Sequence, residues 1–334
     1  MKKVGLQDMK KRNIQIILDF VAKLGPLSRI DIARYTELSP STVTSLVNEL
    51  LRVGLLVQLG TAASSGGRKP IELSINGAYG EICIVEIRRK TTRLHFYNLN
   101  LTELKTVALS DQSLTGNDLL ASINSALHNY YLEAVNSRKK PMGFGLLFHE
   151  DVQPSDYNVI FSTSLSSASI TLKEALLSLY RIPIIEEHIS ALSLLEPLPT
   201  YGQTSANNAH INIGTNILIS IPLDGKPITL KNGRFADATP FFTQIIDGTT
   251  QMQVRTEQLA HLITFLCTLF PLDTIFLSGK FTEANSFLRT IRKSTEAALA
   301  AALPKIMILD QEQQPSAKIL VQAVRGRALE TISF

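Results

Sequence analysis

From Ser39 to Asn48 the chain reads Ser-Pro-Ser-Thr-Val-Thr-Ser-Leu-Val-Asn. Ser41, Thr42, Thr44, Ser45 and Asn48 supply hydroxyls and an amide, with no histidine, cysteine or carboxylate among them to activate a nucleophile. Short uncharged donors and acceptors of this kind suit the edges of DNA bases in the major groove. Further along, Gly66-Gly67-Arg68-Lys69-Pro70 sets two cations beside glycines. A flexible tip ending in cations suits phosphates or the minor groove. Ser28, Arg29 and Ser39, just upstream, and Gly67, Arg68 and Lys69 complete the candidate DNA contacts.

These residues need elements to hold them. Ile14, Ile17, Val21 and Leu24 recur at helical spacing from Asp8 to Leu24, with Phe20 beside them, and Gly25-Pro26 ends that helix. Ser28 followed by Asp31 resembles a capping box opening a short helix, Arg29 to Thr36. Glu37-Leu38-Ser39 makes a tight turn, Ser39 caps a third helix and Pro40 takes its first position. That helix runs to about Val53 and is expected to bury Val43, Leu46, Val47, Leu50 and Leu51. Strands at Leu55–Leu59 and Ile71–Ile75 flank the glycine-bearing loop as a wing. Helices, caps, turn and wing together predict a winged helix-turn-helix, whose third helix enters the major groove.

Charge agrees. Residues 1–75 hold eleven Lys or Arg against six acids, or +5, while the whole chain is +4, which leaves −1 for the remainder. A basic head on a nearly neutral body is an electrostatic footprint of nucleic-acid binding. The two cysteines, Cys83 and Cys267, stand far apart and no CxxC occurs, which excludes a disulfide scaffold and a cysteine-anchored zinc. No apolar run approaches the ~18–20 residues of a membrane span. The basic start has no apolar stretch behind it, so a signal peptide is not expected and the cytoplasm is.

Beyond Asn76 strands alternate with helices, which predicts sheets covered by helices. The strands are expected at 81–87, 91–99, 142–148, 182–186, 210–213, 217–221, 274–277 and 306–309. The helices are expected at 119–135, 172–180, 189–196, 256–270, 284–302 and 316–332. The turn-rich run Pro197 to Gly202 suggests a boundary. The expected domains are the head at 1–76, a first α/β lobe at 77–197, a second at 198–312, and a C-terminal helix within 313–334 returning to the first lobe.

The stretch GPLSRIDIARYTELSPSTVTSLVNELLRVGLL followed by GGRKP resembles the DNA-binding domain of the ROK family (repressors, open reading frames and sugar kinases), Mlc/NagC-type repressor branch. The resemblance continues through EALLSLYRIPIIEEHISALSLLE, INIGTNILISIPLDGKP and FPLDTIFLSGKF. It implies a two-lobed actin-like, ribonuclease-H-like ATPase-type body with a sugar cleft between lobes. It also implies cytoplasmic dimers or tetramers on palindromic operators, and a role in carbohydrate metabolism.

The family's working residues are mostly missing. Where its kinases hold phosphates on Asp-x-Gly-x-Thr, this chain has Glu86-Ile87-Arg88-Arg89-Lys90-Thr91, without the glycines that let backbone approach a phosphate. The second glycine turn survives only as Gly214-Thr215-Asn216. His188 stands where the catalytic Asp belongs; histidine can serve as a base, but without nucleotide it has nothing to transfer. Thr239, Phe241 and Phe242 occupy the positions of the Glu-x-Gly-His signature, and the zinc loop is absent between Thr243 and Pro271. No cofactor, metal or catalytic residue is therefore expected. Glu187, His188, Asn216 and Asp237 remain candidates for a polar ligand cleft.

The sequence thus reads as a DNA-binding transcriptional regulator, a repressor by resemblance, acting on double-stranded DNA as a homodimer or tetramer. Its non-catalytic body would dimerise and sense a small molecule or a protein. An effector-independent architectural protein is the alternative, and a carbohydrate kinase a more distant one.

Overall fold

The computed structural model describes residues 5–59, 70–133, 141–149, 152, 154–162, 167–194, 207–214, 216–223, 226–227, 236–246, 249–252, 256–279, 289, 291–293, 304–309 and 317–332. The head comprises α1 (Leu6–Leu24), β1 (Leu27–Ser28), α2 (Arg29–Thr36), α3 (Pro40–Arg52), β2 (Leu56–Leu59) and β3 (Glu72–Ile75). Its antiparallel sheet has the order β1-β3-β2, and β2 meets β3 with Leu56 opposite Ile75. Gly25 ends α1 at φ 88°, a left-handed value that glycine adopts without strain, and its N–H donates to the Val21 carbonyl. Leu51, expected in the core, is only half-buried, because α3 turns its buried face toward Val43, Leu46, Val47 and Leu50.

Contacts divide the chain into two units. The first contains Met1–Phe148, Val152–Glu186 and Leu320–Phe334, so the head belongs with the first lobe and the last helix. Its five-stranded sheet has the order β10-β7-β4-β5-β6, built from β4 (Glu81–Ile87), β5 (Thr92–Asn98), β6 (Glu103–Ser110), β7 (Pro141–Phe148) and β10 (Ile184–His188). The helices α4 (Gly116–Glu133) and α5 (Leu172–Tyr180) cover one face, where Leu119, Ile123, Leu172 and Leu176 pack against Cys83, Val85, Phe96 and Phe144. A hairpin, β8 (Val159–Ser162) with β9 (Ser167–Ile170), lies beside α4.

The second unit contains His149–Asp151 and Glu187–Ile319. It begins with α6 (Ile189–Ser193), and its sheet has the order β15-β12-β11-β18-β19. The strands are β11 (Asn208–Ile213), β12 (Ile217–Ser220), β15 (Ala236–Asp237), β18 (Thr274–Gly279) and β19 (Lys305–Ile308). Two short pairs, β13 (Pro222–Leu223) with β14 (Lys226–Pro227) and β16 (Thr243–Ile246) with β17 (Thr249–Met252), accompany it. Along β11, Ala209, Ile211 and Ile213 face a core shared with α7 (Thr256–Leu269). The final helix, α8 (Ala317–Glu330), completes the order.

The sequence missed β1, β6, the β8–β9 pair, the β13–β14 pair, β15 and the β16–β17 pair. The turn-rich boundary expected at 197–202 lies outside the described residues, as does most of the helix expected at 284–302. Among the described residues no helix is long and apolar enough to cross a membrane.

Candidate nucleic-acid interface

The head closes on its own core. Ile14, Ile17, Leu18, Ile32, Val43, Val47, Leu50 and Leu55 are fully buried, and Val21, Leu56, Leu73 and Ile75 nearly so. Each such side chain contributes about 1.5–3 kcal/mol relative to exposure. That core frees the outer face of α3 from any packing duty.

Two N-caps fix how α2 and α3 meet. Ser28 is buried, its hydroxyl accepts from Asp31 N–H at 3.2 Å and donates to Asp31 Oδ2 at 2.7 Å. The same carboxylate accepts from Ser28 N–H at 3.3 Å, closing the reciprocal box. The Ser28 hydroxyl first, then its N–H and the Arg34 charge, hold Asp31 below the usual carboxylate value against the opposing effect of burial. Glu37 turns the chain at φ 57° between the helices. At α3 the Ser39 hydroxyl accepts from Thr42 N–H at 3.2 Å and lies 2.9 Å from Ser41 Oγ and 2.8 Å from Thr42 Oγ1.

The candidate contacts therefore separate. Ser28 and Ser39 are occupied as caps, and Thr44 donates its hydroxyl to the Pro40 carbonyl at 2.8 Å. Thr42 is half-buried against the cap, whereas Ser41, Thr44, Ser45 and Asn48 are exposed. Asn48 accepts at Oδ1 from Arg29 Nη2 at 3.1 Å, and no hydrogen bond among the described residues engages the Ser45 hydroxyl. The structure thus brings Arg29 and Asn48, 19 positions apart, onto one surface. The first turn of α3 carries no acid, so the positive end of its dipole faces outward uncompensated. Gly67, Arg68 and Lys69 lie outside the described residues.

Sequence reasoning missed one tie. Lys10 on α1 pairs with Glu49 on α3 at 2.7 Å, joining the outer helices across the face that flanks Asn48. Its signal, two opposite charges 39 positions apart, is invisible to helical spacing.

The body's candidates fall into smaller groups. Asp237 Oδ1 accepts from Thr239 N–H at 2.8 Å and also pairs with the Thr239 hydroxyl. Thr239 Oγ1 in turn accepts from Ile217 N–H at 2.8 Å. Asn216, next to Ile217, accepts through its carbonyl from Gly214 N–H at 3.0 Å. Asn216 and Asp237 therefore share one end of β12. Glu187 and His188 stand at the end of β10, where His188 is the N-cap residue of α6 without a side-chain cap bond. Phe242 is buried in the second unit's core and Phe241 is 77% exposed.

The turn in the place of a phosphate cradle closes as an ordinary hairpin. Arg88 N–H donates to the Thr91 carbonyl at 3.0 Å, and the Arg88 guanidinium donates to Glu86 Oε1 at 3.1 and 2.9 Å. Unheralded in the sequence, His210 lies 2.7 Å from Ser278 Oγ, which also accepts from Asn212 Nδ2 at 2.8 Å. Burial pushes the His210 imidazole down to about 4, so it is neutral at physiological pH. Among the described residues no group of three or more His, Cys, Asp or Glu could hold a metal ion.

Fold and head define a class: a helix-turn-helix protein carrying an actin-like body. Residues 16–60 match the IclR helix-turn-helix domain. The chain is 26% identical over 222 residues to the xylose repressor of Bacillus subtilis, a match covering 64% of this chain and 56% of that protein. It is 20% identical over 236 residues to the DNA-binding transcriptional dual regulator NagC of Escherichia coli, covering 70% and 58% respectively. The chain thus matches little more than half the length of these relatives. A ROK family transcriptional regulator described as a homologue of E. coli Mlc has the same fold, with a TM-score of 0.65, 16% identity and coverage of 96% and 98%. The chain thus carries an IclR-type helix-turn-helix at its head, is similar in sequence to sugar-responsive repressors, and shares its fold with a ROK family transcriptional regulator.

Proposed function

We propose that this protein is a sequence-specific repressor that sets the outer face of α3 into the major groove of a palindromic operator. The observation carrying this reading is the division of labour on α3. Ser39 and Thr44 satisfy the helix, while exposed Ser41, Ser45 and Asn48 project from a surface that the closed core leaves open. Arg68 and Lys69 act at the wing as phosphate or minor-groove contacts, and Arg29 positions Asn48.

The body is non-catalytic: Glu86 occupies Arg88, and Asp237 occupies Thr239. It supplies a twofold homodimer in the cytoplasm, because one head covers one half-site and specificity needs two heads about 34 Å apart. It senses a small molecule or a protein rather than turning over sugar.

The test is selection of bound sites from a genomic DNA library, followed by titration of the selected site. Ser45→Ala and Asn48→Ala should each weaken that site by about 1–3 kcal/mol while leaving binding to random DNA nearly unchanged. Equal loss on specific and random DNA would remove α3 from the reading surface.

A further inference from the structure

Arg325, in the middle of α8, makes hydrogen bonds far along the chain. It is only 9% exposed, yet no carboxylate pairs with it in any ion pair among the described residues. Its Nη2 donates to the Ala22 carbonyl at 2.8 Å and its Nη1 to the Leu99 carbonyl at 3.2 Å. Ala22 lies in the last turn of α1, where helix carbonyls have no partner within the helix. Gly25 N–H takes the Val21 carbonyl, and Arg325 takes the next one. A guanidinium there also meets the negative end of the α1 dipole. Leu99 belongs to the body, just past β5, so one planar cation bridges head and lobe.

A second bond runs the opposite way. Gln15 Nε2 on α1 donates to the Leu329 carbonyl near the end of α8 at 3.0 Å. The two helices thus exchange hydrogen bonds in both directions. The seat of α8 is itself fixed. A Cβ on Gly143 would lie 2.7 Å from Val324 Cγ1, and one on Gly145 would lie 3.0 Å from Leu320 Cδ2. Glycines on β7 therefore let the helix settle against the strand backbone.

We infer that Arg325 is a positioning residue for DNA recognition, which locks α1 to the body through α8 and so sets the pose of the helix-turn-helix. This rests on the proposed operator binding, since pose matters only if two heads must match two half-sites.

The test uses the whole 334-residue chain with Arg325→Met, Arg325→Lys and Gln15→Leu. Without DNA, hydrogen exchange followed by mass spectrometry should show the last turn of α1 exchanging about 10- to 100-fold faster in R325M, as for a lost charged hydrogen bond. Peptides from β4 and β7 should stay at wild-type rates, and R325K should recover part of the protection. With DNA, wild type should prefer its selected operator over a version with the half-sites half a helical turn further apart. R325M should lose most of that preference while keeping single half-site affinity within about twofold, and R325K should regain part of it. Wild-type protection of α1 in R325M, or undiminished spacing preference, overturns the inference. Should R325M not fold, R325K and Q15L carry the same measurements with the same criteria. If wild type selects no site, the operator reading fails, while the exchange result still decides whether Arg325 holds the head.

Discussion

The head and the second unit use the same short polar side chains to opposite ends. On α3, Ser41, Ser45 and Asn48 stand exposed, because caps and core are completed by other residues. In the second unit, Asn212 donates to Ser278, Thr239 is bound to Asp237 and Ile217, and His210 is buried beside Ser278. Residue type therefore says little about availability; what matters is where the hydrogen bonds already go. On α3 the Ser45 hydroxyl is left open to water, whereas in the second unit His210 Nε2 and Asn212 Nδ2 are both taken up by Ser278 Oγ.

Four experiments probe that contrast. Leu50→Ala, which empties a fully buried position of α3, should destabilise the head by about 2–5 kcal/mol. Urea unfolding of the full chain would read this, and loss of DNA binding should accompany it; a change below about 1 kcal/mol would mean that the head core is not closed as described. At the wing, converting Arg68 and Lys69 together to Ala should lower the slope of log affinity against log salt by roughly 1–2 units. An unchanged slope across a salt titration would take the wing off the phosphates.

Ser39→Ala removes the α3 cap and should cost about 1 kcal/mol, visible as a lowered Tm. Ser45→Ala, on the same helix but outside the cap, should leave Tm in place, so equal shifts would dissolve the distinction between cap and reader. The smallest effect concerns pH. His95 sits 3.1 Å from Glu86 Oε2 and 3.0 Å from Glu103 Oε1. Burial alone would lower its pKa, but hydrogen bonds to Glu86 and Glu103 and their charges outweigh it and hold the imidazolium above its usual value. A raised folded value means stability present below the ordinary histidine range and lost as pH rises through the folded one. The urea midpoint of wild type over His95→Gln should therefore be largest in mild acid and shrink toward alkaline pH; a gap that widens would reverse the assignment.

Elements with local punctuation were legible. Thr171 and Glu174 close a reciprocal cap, and α5 begins and ends where its sequence pattern does. The Ser28–Asp31 box and the Ser39-Pro40 start were equally readable. The strand β6 was not, because every residue from Glu103 to Ser110 is exposed or half-buried, leaving no alternation to see. It exists through backbone bonds to β5, with register shifts after Thr92 and Phe96. Of the candidate interface, the exposure of Ser41, Thr44, Ser45 and Asn48 on α3 followed from the helical spacing of the apolar residues between them. The partners Arg29 with Asn48 and Lys10 with Glu49 were not legible, since only tertiary packing brings them together.

The bond from Arg325 to Ala22 joins residues 303 positions apart. At roughly 5–20 residues per second, the ribosome makes the donor about 15–60 seconds after the acceptor. The buried residues that fill the head, from Ile14 to Ile75, all precede residue 76, so they can pack while the rest of the chain is still being made. During that interval the head is folded without its seat, and a prematurely released chain would carry a DNA-binding module whose orientation nothing controls.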